Sequence, residues 1–418
     1  MPMSPAFDQR LAPILPEIAA HFGTPFHLYD EIGIRDTGAA LKAAFAEIEG
    51  FREYFAVKAL PNPAILSIMR DLDFGFDCSS IPELILSRGV GAQADDIMFT
   101  SNNTSAAEFA AAFDQGGCIL NLDSIGLLDN LPAAPELICF RYNPGARRTG
   151  NAIMGNPIEA KFGITHEQLL PAYQRAQALG VQRFGLHTMI ISNERNYAYL
   201  VQTAAMLLEL IESLSAALGV RFEFINIGGG FGLPYRPEDQ PLDLAALSTE
   251  ITALFAAFRR KHEYAPRLYM ESGRYMTGGH GVLVTRAINR KETYRTYIGV
   301  DASMSALMRP GMYGAYHHVH VHGKSNQPTE TVDVVGSLCE NNDKFAVQRD
   351  LPRVEPGDLL VIHDTGAHGH AMGFNYNGRL RPQELLLCAD GSIKRIRRAE
   401  TVDDYFATLN FPADSMRL

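Results

Sequence analysis

A chain of 418 residues is longer than one hydrophobic core usually serves, so two domains are expected. Hydrophobic residues make up 46% and charged residues 20%, the balance of a soluble globular protein. Lys plus Arg number 37 against 47 Asp plus Glu, a net charge of −10 that argues against a nucleic-acid surface.

The first residues, MPMSPAFDQRLAPILPEIAAHFG, show no basic segment followed by an apolar core, so no secretory signal is expected. No run reaches the ~18 apolar residues of a membrane-spanning helix. Cys78, Cys118, Cys139, Cys339 and Cys388 are scattered, odd in number and without CxxC spacing. They suit a reducing cytoplasm and argue against structural zinc.

In chain order, short apolar runs predict strands at 53–57, 74–77, 97–100, 118–122, 137–142, 183–187, 222–227 and 267–271. Helical stretches lie between several of them. Thr165 is placed to cap HEQLLPAYQRAQALG, which stops at Gly180. NERNYAYLVQTAAMLLELIESLSAALG and LAALSTEITALFAAFRRKHEY carry apolar residues at helical spacing. Eight strands alternating with helices predict an α/β fold, a closed parallel (β/α)8 TIM-type barrel, over residues 25–280; a doubly wound open sheet has the same local signature, so the count alone does not decide. Beyond 280 the runs GVLVTRAINR, TYRTYIGV, DVVGSL, DLLVIHD and ELLLCAD are short and separated by turns. Residues 1–24 and 281–418 are therefore expected to form a mostly β domain.

Functional groups of such a barrel gather at the C-terminal strand ends. Lys58 ends the first predicted strand, Asp77 the second and His187 the sixth. NIGGGFG (Asn226 to Gly232) follows the seventh, and Glu271 and Arg274 in ESGRY end the eighth. Singly, each has a plain explanation: a solvated lysine, a core histidine, a turn, an ion pair. Together, a lysine, a flat aromatic base, a glycine cradle and a carboxylate meet the needs of pyridoxal phosphate. Lysine joins its aldehyde, glycine backbone approaches its phosphate, and a carboxylate keeps its ring nitrogen protonated. Desolvation is expected to lower the Lys58 pKa and sharpen its nucleophilicity.

The motifs FAVKA, GFDCSS…EL, RYNPG, KFG, NIGGGFG, ESGRY, MRPGMYGAYH, LCENND and GDLLVIHDTGAHGHAMGFNYN occur in family order over nearly the whole chain. In them the sequence resembles the fold-type III, alanine racemase-like PLP-dependent decarboxylases, the group of diaminopimelate, ornithine and arginine decarboxylases. The resemblance implies a homodimer with shared active sites acting on a small amino acid. It implies that Lys58 holds the cofactor aldehyde and that His187 stacks on the ring. Gly228, Gly229, Gly230 and Arg274 would bind the phosphate, with Arg274 also facing substrate, and Glu271 would face the ring nitrogen. Cys339 and Glu340 would reach into the partner's site, Cys339 returning a proton to the α-carbon.

Arg309 and Tyr313, in MRPGMYGAYH, match the pair that diaminopimelate decarboxylases use for the distal end of the substrate. An arginine grips a carboxylate with two parallel hydrogen bonds, and Glu340 suits an amino group. The expected reaction is decarboxylation at a D-configured carbon, meso-diaminopimelate to L-lysine, a step of lysine biosynthesis. Three departures leave D-lysine or D-ornithine open as substrates. His368 stands where the family has a tyrosine near the cofactor. HTMI replaces HxGS after the stacking histidine, so Thr188 or Ser192 would supply the hydroxyl. Asn341 and Asn342 replace small residues. A racemase is a weaker reading because VKALPNP lacks the KADAYGHG run. A non-catalytic relative is opposed by Lys58, Glu271, Arg274, Cys339 and Glu340 all being present.

Overall fold

The computed structural model describes residues 3–150 and 153–410. Two units divide it. One holds residues 32–234 and 238–278; the other holds residues up to 31, Tyr235–Pro237 and the chain from Gly279 onward.

The first strand, β1 (Phe26–Asp30), belongs to the β-rich unit. The barrel follows as β2 (Arg52–Ala56), β3 (Gly75–Cys78), β4 (Ile97–Ser101), β5 (Ile119–Leu122), β6 (Leu137–Tyr142), β7 (Arg183–Thr188), β8 (Phe224–Asn226) and β9 (Arg267–Met270). Each strand pairs in parallel with the next, and β9 returns to β2 through Arg52↔Tyr269, closing the expected eight-stranded barrel. The strands read as apolar runs because both faces are covered; all six residues of β6 are buried. Tyr54, Met98, Ile119, Leu137, Cys139, Phe224 and Tyr269 fill part of the interior.

Local signals set the helix ends. Thr165 and Gln168 form a reciprocal capping box at His166–Ala178. Asn196 caps Tyr197–Leu218, which stops at Gly219 in a left-handed conformation. That helix is long and apolar enough to cross a membrane by length and composition, although Gln202, Glu209 and Glu212 interrupt its apolar residues. Its Leu200, Leu207 and Ile211 are buried, and it packs against β7, β8 and the helix Leu244–His262.

The β-rich unit adds β10 (Gly281–Glu292), β11 (Thr296–Val300), β12 (Val319–Val321), β13 (Thr329–Val335), β14 (Lys344–Pro352), β15 (Leu359–Ile362), β16 (Gln383–Leu387) and β17 (Ile393–Arg397). Their sheet order is β14-β13-β11-β10-β1-β16-β17, with β15 joined to β10 and β12 to β15. Residues 25–30, expected at the start of the barrel, are thus placed differently. β1 pairs antiparallel with β10 and parallel with β16, satisfying its backbone there. Phe7, Leu11, Leu15 and Ile18 from the N-terminal helices pack with Phe26, Leu28, Val282 and Leu385 in one of its cores.

Candidate active site

Every predicted barrel site residue lies at or just beyond a C-terminal strand end. Lys58 sits in a single 3-10 turn, Val57–Ala59, directly after β2. Its ammonium donates to the Asp77 carboxylate at 2.8 Å; Asp77 is fully buried in β3, while half of the lysine side chain is exposed. Burial works against the Lys58 ammonium, but the carboxylates of Asp77 and Glu271 outweigh it and hold the group above its usual range. The expected lowering of its pKa is therefore corrected: the ion pair decides the sign, not desolvation. For Asp77, burial and nearby Glu271 push the carboxyl up while Lys58 pulls it down. The 2.8 Å contact with an ammonium marks the pair as ionised.

His187, in β7, places Nε2 3.3 Å from Glu271 Oε2, and both side chains are almost completely buried. Burial alone would raise the Glu271 carboxyl, but His187, Lys58 and Arg141 hold it at about 2. His187 Nδ1 is buried without a hydrogen-bond partner among the described residues.

Two residues of this network received no role from sequence. Asn226, the last residue of β8, donates to Glu271 Oε1 at 2.8 Å and accepts from the Gly228 N–H at 2.8 Å. It ties the carboxylate to the glycine loop. Arg141 in β6 donates to Asn102 Oδ1 at 3.2 Å and the Met189 carbonyl at 3.1 Å, and lies 3.6 Å from Asp123. Both stood inside quoted motifs, NIGGGFG and RYNPG; no spacing rule points either of them at Glu271.

The glycines are demanded by close approach. Gly228 and Gly230 have φ of +70° and +88°. A Cβ on Gly229 would fall 2.1 Å from the Glu271 carbonyl oxygen. The Gly228 N–H is already taken by Asn226, and the Gly229 N–H meets the Met189 sulfur at 3.3 Å. Arg274, in the short helix Gly273–Thr277, reaches Ser192 Oγ at 3.5 Å. The Thr188 hydroxyl instead donates to the Tyr142 carbonyl at 2.8 Å. Of the two hydroxyls proposed for the altered HTMI segment, Ser192 is therefore the one beside the predicted phosphate-binding arginine.

The remaining predicted residues belong to the β-rich unit. Arg309, buried at the start of the helix Arg309–Tyr313, donates to the Tyr235 hydroxyl at 3.0 Å. Tyr313 closes that helix and is 51% exposed. Cys339 is exposed, and its backbone N–H donates to Asn377 at 2.8 Å. Cys339, Glu340 and Asn341 line a cavity of about 530 Å³ together with Tyr297 and Lys344. His368 is half-buried with φ +55°, a left-handed conformation that histidine adopts more readily than most residues.

The barrel's donor set fits pyridoxal phosphate. An amine stands at a strand end, an imidazole carries an unpartnered buried nitrogen, a carboxylate is held ionised, and an arginine and a serine hydroxyl adjoin a glycine loop.

Residues 34–278 match the pyridoxal binding domain of the pyridoxal-dependent decarboxylases. Protein TabA of Pseudomonas amygdali pv. tabaci is 48% identical over 99% of this chain and 98% of its own length. The diaminopimelate decarboxylase of Methanothermobacter thermautotrophicus is 37% identical over 95% of this chain and 94% of its own. The crystal structure of diaminopimelate decarboxylase from M. jannaschii with L-lysine is 29% identical with a TM-score of 0.87, covering 95% of this chain and 94% of that one.

Proposed function

The chain belongs to the pyridoxal-dependent decarboxylases, and we propose that it removes CO2 from the D-configured carbon of a diamino acid with a distal carboxylate, meso-diaminopimelate giving L-lysine. Similarity along almost the whole length to diaminopimelate decarboxylases supports this reading. Arg309 carries it: a buried guanidinium with a hydroxyl and an imidazole among its partners suits a carboxylate that the substrate supplies.

When bound, pyridoxal phosphate accepts the electron pair released as the bond to the leaving carboxyl group breaks. The residues of the chain do the rest. Lys58 must lose a proton before it acts as a nucleophile, and Asp77 at 2.8 Å is the acceptor within reach. His187 presents a flat face held by Glu271, which Asn226 orients in turn. Gly228, Gly229, Gly230, Arg274 and Ser192 take the phosphate. Arg309 and Tyr313 take the distal carboxylate, and Glu340 the distal amine. The α-carbon regains a proton from the thiol of Cys339, supplied by the second copy of a homodimer.

A second reading, a decarboxylase of D-lysine or D-ornithine, is favoured by Asn341 and Asn342 beside Glu340 and by His368. CO2 release is to be measured with meso-diaminopimelate, D-lysine, D-ornithine and their L-isomers. Turnover of the dicarboxylate with little from the monocarboxylates is expected; the reverse preference overturns the substrate assignment and leaves the decarboxylase.

A further inference from the structure

Arg309 is held by a set of contacts whose proton positions the geometry decides. Nδ1 of His317 lies 2.8 Å from the backbone carbonyl of His363. A carbonyl only accepts, so Nδ1 carries the proton. Nε2 of the neutral ring then presents its lone pair, and it lies 2.9 Å from Nη1 of Arg309, a group that only donates. An imidazolium would set N–H against N–H at that distance. The same Nη1 donates to the Tyr235 hydroxyl at 3.0 Å, and the Tyr235 ring lies 4.8 Å from the guanidinium carbon. The Tyr235 and His317 rings meet edge to face at 5.3 Å.

These contacts fix more than position. Two hydrogen bonds from one nitrogen, with an aromatic ring against the guanidinium, restrict its plane, and a carboxylate is gripped by two parallel bonds only when that plane is set. A free arginine side chain would surrender rotamer entropy on each binding event. His317 is itself anchored from a third side: it is fully buried, and its carbonyl accepts from Arg349 Nη1 at 3.0 Å. Arg349 in turn lies over the Tyr316 ring at 4.0 Å.

We propose that His317, as the neutral Nδ1–H tautomer, is a positioning residue that with Tyr235 sets the plane of Arg309 and so determines preference for substrates bearing a distal carboxylate. The proposal rests on the reading of Arg309 as the carboxylate clamp, and the test separates the two.

The quantity measured is the ratio of kcat/KM for meso-diaminopimelate to that for D-lysine, in the cofactor-loaded enzyme. His317→Phe removes the acceptor, and the ratio is expected to fall roughly tenfold or more through KM for the dicarboxylate, with kcat little changed. His317→Gln retains an amide that donates and accepts, and is expected to restore most of the ratio. Arg309→Ala serves as the reference and lowers the ratio at least as far. If Arg309→Ala lowers the ratio and a folded His317→Phe does not, the positioning role is overturned while the clamp stands. A ratio insensitive to Arg309→Ala overturns the clamp, and the discriminating role of His317 with it. Nitrogen-15 spectra of histidine-labelled enzyme, with His317→Gln identifying the signal, give an activity-free check. A protonated Nδ1 and an unprotonated Nε2 are expected; a protonated Nε2 overturns the assignment.

Discussion

The barrel unit and the β-rich unit hold their predicted site residues differently. At the barrel's strand ends, buried carboxylates are set directly against other polar groups: Asp77 against the half-exposed Lys58 ammonium, Glu271 against the His187 imidazole. In the β-rich unit, Arg309 has a phenol and an imidazole among its partners. Charge on charge in a poorly solvated site decides protonation, which is what bond-breaking chemistry needs. A guanidinium with a hydroxyl and an imidazole among its partners suits a carboxylate ligand. Under the proposed function, the bond-breaking chemistry falls to the barrel residues and the choice of substrate to the residues around Arg309.

Lys58→Ala bears hardest on that division. It is expected to cut CO2 release by roughly 10³-fold or more, and to remove the cofactor's mass from the borohydride-reduced protein. Residual turnover near the parent rate would place the chemistry elsewhere. Cys339→Ala is the counter-test, since it sits in the β-rich unit yet is assigned a chemical role. A loss of about 100-fold in kcat with unchanged cofactor absorbance is expected. Full turnover would return Cys339 to an ordinary exposed thiol.

Glu53, buried in β2, accepts the Ser272 N–H; burial, reinforced by Glu271 against that hydrogen bond, pushes its carboxyl up to about 8. Between its ordinary value of 4.5 and 8, the folded chain holds a proton that the unfolded chain has released. The contribution to stability therefore falls as pH rises through that window. Glu53→Gln removes the dependence, and its melting temperature at pH 8.5 should exceed the parent's by on the order of 5 °C, with the gap closing toward pH 5. A constant gap would mean that Glu53 does not titrate there. Glu271 has the opposite sign: held at about 2, its contribution is complete above its ordinary 4.5 and lost as pH falls through 2.

The smallest expected effects distinguish two neighbouring hydroxyls. Ser192→Ala, losing a partner of Arg274, should weaken cofactor retention about threefold in equilibrium dialysis. Thr188→Val, losing its bond to the Tyr142 carbonyl, should cost about 1 kcal/mol of stability in denaturant unfolding and leave retention unchanged. Interchanged results would reverse the assignment made for the altered HTMI segment.

The barrel was legible because buried parallel strands read as apolar runs, and a chemical residue breaks the run at its C-terminal end; Lys58, Asp77 and His187 were found that way. β14 and β17 were not, because residues such as Gln348, Arg349, Lys394 and Arg395 interrupt any apolar run and face water or polar partners. β1 is only five residues long, and its pairing with β10 and β16 depends on segments more than 250 residues away.

By itself the sequence determined the alternating strands and helices, the helix stops at Gly180 and Gly219, and the set of residue types suited to one cofactor. Those follow from local sterics and from the periodicity of apolar residues, which neighbours along the chain decide. Only the tertiary structure decided that Lys58 is held protonated, that Asn226 joins Glu271 to the glycine loop, and which nitrogen of His317 carries the proton. Each depends on partners distant along the chain, such as His187 and Glu271, separated by 84 positions. Charges and hydrogen bonds act over a few ångströms of space, whatever the distance along the chain.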